Sequence, residues 1–116
     1  MSERSTRRVL REPELPASLV ALVERSVRER PAAVAMRWLD PATRRWTSMT
    51  YAELWEQVRR TSLGLARLGV GPGDRVLVFS RSRPEWGIAD LAILALGAVS
   101  CPIFSGEGPV RIREIV

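Results

Sequence analysis

From Ile88 to Val99 the sequence reads IADLAILALGAV, a run with one charge, Asp90. Such a run has to be covered on more than one side. A spanning helix needs roughly 20 apolar residues, so this one belongs to the interior of a folded domain and not to a membrane. Its flanks say which kind of domain. Upstream, RVLVFS (Arg75–Ser80) reads as a short buried strand, and downstream AVSCPIF (Ala98–Phe104) reads as a second. Between them Ser82 is placed to cap a helix. Pro84 falls in its first turn, where the missing N–H costs nothing, Glu85 lies near the positive end of the helix dipole, and Gly97 ends it. Strand, helix, strand over Arg75–Phe104 is a βαβ unit with parallel strands and a right-handed crossover. The chain is therefore of the α/β class.

The residues ahead of this unit form three further elements. PASLVALVERSVRERP puts Leu19, Leu22, Val23 and Val27 on one helical face, and Pro31 stops that helix. Ala33–Leu39 and Arg44–Met49, joined through the turn signal Asp40-Pro41, read as a β-hairpin with Trp38 and Trp46 on its arms. Thr50 with Glu53 is a capping box opening a long amphipathic helix, with Tyr51, Leu54, Val58, Leu65 and Leu68 as its apolar stripe. Glu56 and Arg60 stand four apart in the favourable order for an ion pair. Gly69 stops the helix, and Gly71-Pro72-Gly73-Asp74 turns the chain into the first strand of the βαβ unit.

Composition removes much chemistry. All 18 basic residues are arginine, against 13 acidic ones, and there is no lysine and no histidine. Schiff-base lysine chemistry, an imidazole base and a histidine metal ligand are thereby excluded. The single cysteine, Cys101, makes neither an internal disulfide nor a CxxC knuckle. The N-terminal MSERSTRRVLREPELP is basic, with no apolar leader-type run after it, and is expected to be a disordered tail over residues 1–16.

The ordered set Thr50-Tyr51 with Glu53-Leu54, Leu68-Gly69-Val70, Gly73-Asp74-Arg75-Val76, Arg83-Pro84-Glu85-Trp86, and Gly97-Ala98-Val99 with Pro102-Ile103 resembles the N-terminal part of the adenylate-forming, AMP-binding enzymes. The Arg-Pro-Glu-Trp element leans toward the long-chain fatty acyl-CoA synthetases, and weaker similarity reaches back to Leu19. The resemblance implies an incomplete portion of that family's N-terminal domain over residues 17–104, with a divergent tail over 105–116. It implies a parent enzyme that couples a carboxylic acid to coenzyme A through an acyl-adenylate, using ATP and Mg2+, in the cytoplasm. Peripheral membrane association comes with that parent class. The parts of the family that carry the phosphate loop, the nucleotide and magnesium motif, the ribose aspartate and the C-terminal lysine have no counterpart here. The expectation is an inactive fragment with no catalytic, cofactor-binding or metal site of its own. Its partner is the remainder of the enzyme, or a second copy through an uncovered sheet edge. A stand-alone α/β binding or interaction module is the rival reading. After Phe104, SGEGPVRIREIV departs from the family's usual Pro-Thr-type loop and helix. A shortened gene, a shifted frame and a cut boundary all give such an end.

Several residues invite a sharper reading. Gly69, Gly71 and Gly73 have glycine-loop spacing, but they precede a strand, whereas a phosphate cradle follows a strand and opens a helix. They read as a turn. Arg81 and Arg83 stand where α/β sheets bind ligands, at a strand's carboxyl end. They could meet an anion there, and solvated arginines are the plainer reading. Asp90 is either a polar gap on a partly exposed face or a buried carboxylate paired to an arginine. Cys101 reads as a small core residue, since no base is present to activate it. Trp38, Trp46, Trp55 and Trp86 read mostly as core or hairpin packing. Arg4, Arg7, Arg8 and Arg11 could touch nucleic acid or anionic lipid, but no binding fold or aromatic platform accompanies them, so no nucleic-acid partner is expected.

Overall fold

The computed structural model describes residues 16–115. The basic segment with Arg4, Arg7, Arg8 and Arg11 lies outside the described residues. In chain order the elements are α1 (Leu19–Glu29), β1 (Val34–Leu39), β2 (Trp46–Thr50), α2 (Tyr51–Arg67), β3 (Arg75–Phe79), α3 (Pro84–Ala95), β4 (Val99–Ile103) and α4 (Pro109–Ile115). β1 and β2 form an antiparallel hairpin with an irregularity between Val34 and Met36, and β3 pairs in parallel with β4. The hairpin, the long helix and the βαβ unit stand where the sequence puts them. The segment after Phe104 adds a short helix, α4.

Thr50 ends β2 and caps α2 at once. Its Oγ1 accepts the Glu53 N–H at 3.2 Å, as a capping box requires. The reciprocal half differs from the expected one, because the Thr50 hydroxyl donates to Glu53 Oε1 at 3.0 Å. The other end of α2 is closed by Gly69, whose φ is +97°. Gly69 N–H donates to Ala66 O at 3.0 Å and Val70 N–H to Leu65 O at 3.1 Å, the two bonds of a Schellman stop. Leu68 is therefore not part of the buried stripe. It is the residue just past the helix, and it is 82% exposed.

α3 ends the same way. Gly97 has φ +72°, its N–H donates to Leu94 O at 3.0 Å, and Ala98 N–H donates to Ile93 O at 3.2 Å. The start of α3 is one residue later than the expected Ser82 cap. Arg83 is the N-cap, extended at φ −151°, and gives no side-chain cap bond. Pro84 is the reason: it bars helical angles from the residue before it, so the helix begins at the proline itself. In α1, Ser18 Oγ accepts the Ala21 N–H at 3.1 Å. Leu22, Val23 and Val27 are half-buried, while Leu19 turns outward.

Two clusters make the core. Leu54 and Val58 of α2 meet Ile88, Leu91 and Ala92 of α3, with Val23, Ala35, Met36 and Met49 against them. Ile93, from the other side of α3, meets Val78 and Ala98, with Val70, Val76 and Trp86 around them. Ala92 and Ile93 are 0% and 1% exposed, so α3 is covered on more than one side. Ser62 Oγ donates to Ala92 O at 3.1 Å and ties α2 to α3. At Gly87 the hairpin comes so close that a Cβ there would lie 2.7 Å from Met36 Cε.

Candidate functional site

The carboxyl ends of β3 and β4 open onto two clefts that meet at Ser82. One, of about 590 Å3, lies between Trp38–Pro41 at the end of β1 and Arg81–Glu85 at the start of α3. The other, of about 390 Å3, is lined by Ser80, Ser82, Trp86, Pro102, Ile103 and Phe104. Its walls are chiefly apolar, with two serine hydroxyls at one side. The βαβ connection dictates this placement, because strand ends, helix start and the loop after β4 converge there. Element order, a strand's carboxyl end ahead of a helix start, pointed to Arg81 and Arg83. The sequence offers Ser82 only as a helix cap and gives Ser80 and Phe104 no role, and the parallel pairing of β3 with β4 brings the three to one cleft.

Arg81 and Arg83 are both exposed. Arg83 Nε donates to Glu85 Oε2 at 2.8 Å. That bond holds the Glu85 carboxyl below the usual carboxylate range and sets Arg83's charge against a carboxylate that lines the same cleft. Arg81 has no ion pair among the described residues and is the cleft's free cation. Asp90 is half-buried on α3, and no arginine pairs with it among the described residues. Cys101 is a half-buried free thiol on β4, beside Leu77. Ser100 Oγ is buried without a hydrogen-bond partner among the described residues. Trp38, Trp55 and Trp86 are half-buried, whereas Trp46 stands 69% exposed on the hairpin.

The three glycines occupy the turn between α2 and β3. Gly73 has φ +81°, Gly71 N–H donates to Asp74 Oδ2 at 2.8 Å, and Gly73 N–H donates to Gly97 O at 3.0 Å. The turn is thus consumed by its own hydrogen bonds, at the amino end of β3 and away from both clefts. No three acidic, histidine or cysteine side chains among the described residues come together as metal ligands. The first cleft carries two arginines, Arg81 and Arg83, and two carboxylates, Asp40 and Glu85, and the second is lined chiefly by apolar side chains with Ser80 and Ser82.

Comparison with known proteins places these features. A sequence model described as AMP-binding enzyme matches residues 23–116. A long-chain-fatty-acid–CoA ligase of Mycobacterium bovis is 48% identical over 71 residues, 61% of this chain and 12% of that ligase. An acetyl-coenzyme A synthetase of Rhodopirellula baltica is 37% identical over 75 residues, 65% of this chain and 11% of that enzyme. The N-terminal subdomain of Klebsiella oxytoca NpsA, solved with anthranilyl-AMSN, superposes with a TM-score of 0.77 at 26% identity, over 84% of this chain and 24% of the subdomain. The chain thus spans about an eighth, 12%, of the ligase it matches.

Proposed function

Because the chain belongs to the AMP-binding enzyme family, we propose that it is the N-terminal portion of an ATP-dependent fatty acid–CoA ligase and is inactive by itself. The observation that carries this reading is the 48% identity to a long-chain-fatty-acid–CoA ligase over 71 residues. In the parent reaction ATP activates a fatty acid as its adenylate and coenzyme A takes the acyl group, with Mg2+ in attendance. This portion contributes scaffold: α2 and α3 brace the parallel strands whose carboxyl ends face the rest of the enzyme. Residues 17–104 are the partial domain, 1–16 a tail and 105–116 its divergent end. The partner is the remainder of the enzyme, or a second copy meeting the open edge of the β3–β4 pair, and the compartment is the cytoplasm.

Among the described residues no helix is long and apolar enough to cross a membrane. A second reading, a stand-alone binding module, is favoured by one observation: the described residues already hold two packed core clusters joined through α3. The test of inactivity is pyrophosphate release from ATP with a long-chain fatty acid. The expected result is no release above a protein-free control, and release that depends on both substrates refutes it. The coding sequence beyond Val116 separates the two readings. A Ser/Thr/Gly-rich loop ending in lysine, in any frame, supports the ligase portion. Its absence, with saturable ligand binding by the folded chain, supports the module.

A further inference from the structure

Among the described residues the parallel pair β3–β4 has a free edge on each strand, and the two edges are not alike. Val99 N–H donates to Asp74 O at 2.7 Å. Backbone groups alternate sides along a strand, so in the register Arg75↔Val99 the N–H groups of Val99, Cys101 and Ile103 face β3. Position 102 therefore faces the outer edge of β4, and it holds Pro102, which has no N–H. That edge lacks a donor near its centre, one of the ways in which a sheet edge is closed to further strands. On β3 the same alternation turns Asp74, Val76 and Val78 toward β4. Arg75, Leu77 and Phe79 direct their N–H and C=O groups outward, and no proline or glycine interrupts the strand's five residues. All three side chains are exposed, Leu77 by 45% and Phe79 by 56%. The β3 edge is thus the open one.

We propose, on the reading of the chain as a portion that leaves this sheet open, that the β3 edge takes the β3 edge of a second copy, joined antiparallel about a two-fold axis at Leu77. Such a contact uses the same strand on both sides, so the strand has to be complementary to itself. With the axis at Leu77 it is. Leu77 faces Leu77 of the second copy, Arg75 faces its Phe79, and Phe79 faces its Arg75, and each facing pair exchanges both of its ladder bonds. A guanidinium then stands across from an aromatic ring on one face of the sheet, a favourable cross-strand neighbour. The adjacent registers lose this match. An axis at Val78 sets Arg75 against Arg81 of the second copy, and an axis at Val76 sets Phe79 against its Gly73. A ladder of five residues is small beside the roughly 800 Å2 a side of a stable interface, so the dimer belongs to the weak, micromolar class.

The experiment is sedimentation equilibrium of the full chain across the micromolar range, with Leu77→Pro, Leu77→Lys, Val99→Lys and Leu68→Lys beside the parent. Leu77→Pro removes the central outward N–H of β3 and leaves the β3–β4 ladder its bonds. Leu77→Lys sets two like charges across the axis. Val99 lies on the same apolar side of the pair but on β4, and Leu68 lies off the sheet. The parent should form a concentration-dependent dimer. Its dissociation constant should rise roughly tenfold or more in both Leu77 variants and by less than about twofold in Val99→Lys and Leu68→Lys. The register is read with Leu77→Cys in a Cys101→Ser chain, which should oxidise to a covalent dimer, since the Cα atoms of a bonded facing pair stand about 5.5 Å apart. Three results overturn the proposal: a monomer throughout the range, a dimer indifferent to both Leu77 variants, and equal loss in Val99→Lys and Leu77→Lys, which means that faces stack instead of edges pairing. If Leu77→Pro fails to fold, Leu77→Lys and the cross-link still decide, because that side chain is exposed. The ligase reading stands or falls separately, on the coding sequence beyond Val116.

Discussion

Thr50 carries more local structure than any other single residue. It closes the hairpin opposite Val34, its hydroxyl caps α2, and the same hydroxyl donates to Glu53. Replacing it with alanine should lower stability by about 1 kcal/mol, the usual scale for an N-cap. Arg81→Ala should stay within about 0.5 kcal/mol, since that side chain is exposed and has no acidic partner among the described residues. Reversible denaturant melts read both. Glu56 gives a pH prediction. Hydrogen bonds from Arg59, at 3.2 and 3.0 Å, and from Arg60, at 3.0 Å, hold its carboxyl below the usual range. A carboxyl with a lowered folded pKa contributes stability above its unfolded pKa, and that contribution is lost as pH falls through the folded value. Glu56→Gln should therefore flatten the fall in stability between neutral and acid pH. The effect should be small and should vanish in high salt, because all three side chains are exposed to water. A melt series from pH 7 to pH 3 that runs parallel in both proteins would refute it.

Each helix terminates by its own local signal, and two glycines illustrate opposite outcomes. Gly64 lies inside α2 with open space where a Cβ would go, so Gly64→Ala should stabilise by roughly 0.5–1 kcal/mol. Gly97 sits at φ +72°, with Pro72 at ordinary contact distance, 3.6 Å, so Gly97→Ala should destabilise by roughly 1 kcal/mol or more through backbone strain alone. Thermal melts of the two variants should move in opposite directions, and shifts of the same sign would count against this account. These elements were legible because their signals are local: a capping residue, a glycine at the stop, an apolar period. The failures are local too. Ser82 looks like a cap, but the constraint from Pro84 moves the cap to Arg83. Leu68 keeps the apolar period, yet the helix has ended before it. The clefts were half legible. Arg81 and Arg83 could be placed at a strand end from order alone, and so could the parallel pairing of β3 with β4, whereas the course of the chain that sets Phe104 against Ser80 and Ser82 depends on packing that residue spacing does not encode. Nothing in the period of the hairpin distinguished Trp46 from Trp38. One residue of register decides which faces the core.

At the scale of the whole molecule, the two sheets share no strand, and each leans on its own cluster. Leu77, Phe79 and Val99 leave one side of the parallel pair apolar and open, as expected for a portion of a larger enzyme. What joins the halves is α3, which alone sends buried residues into both clusters: Ile88, Leu91 and Ala92 into one, and Ile93 into the other. Its consequence is kinetic. Neither half can open fully while α3 stays packed, and α3 cannot leave one half without stripping the other. The amide protons of Leu91 to Ala95 should then be the slowest in the chain to exchange with deuterated water, released only by global opening. Those of β1 and β3 should exchange at a common faster rate, through partial openings that keep the helix in place. Mass spectrometry of peptic peptides reads this directly, and faster exchange in the α3 peptide than in either sheet would mean that the two halves open independently of it.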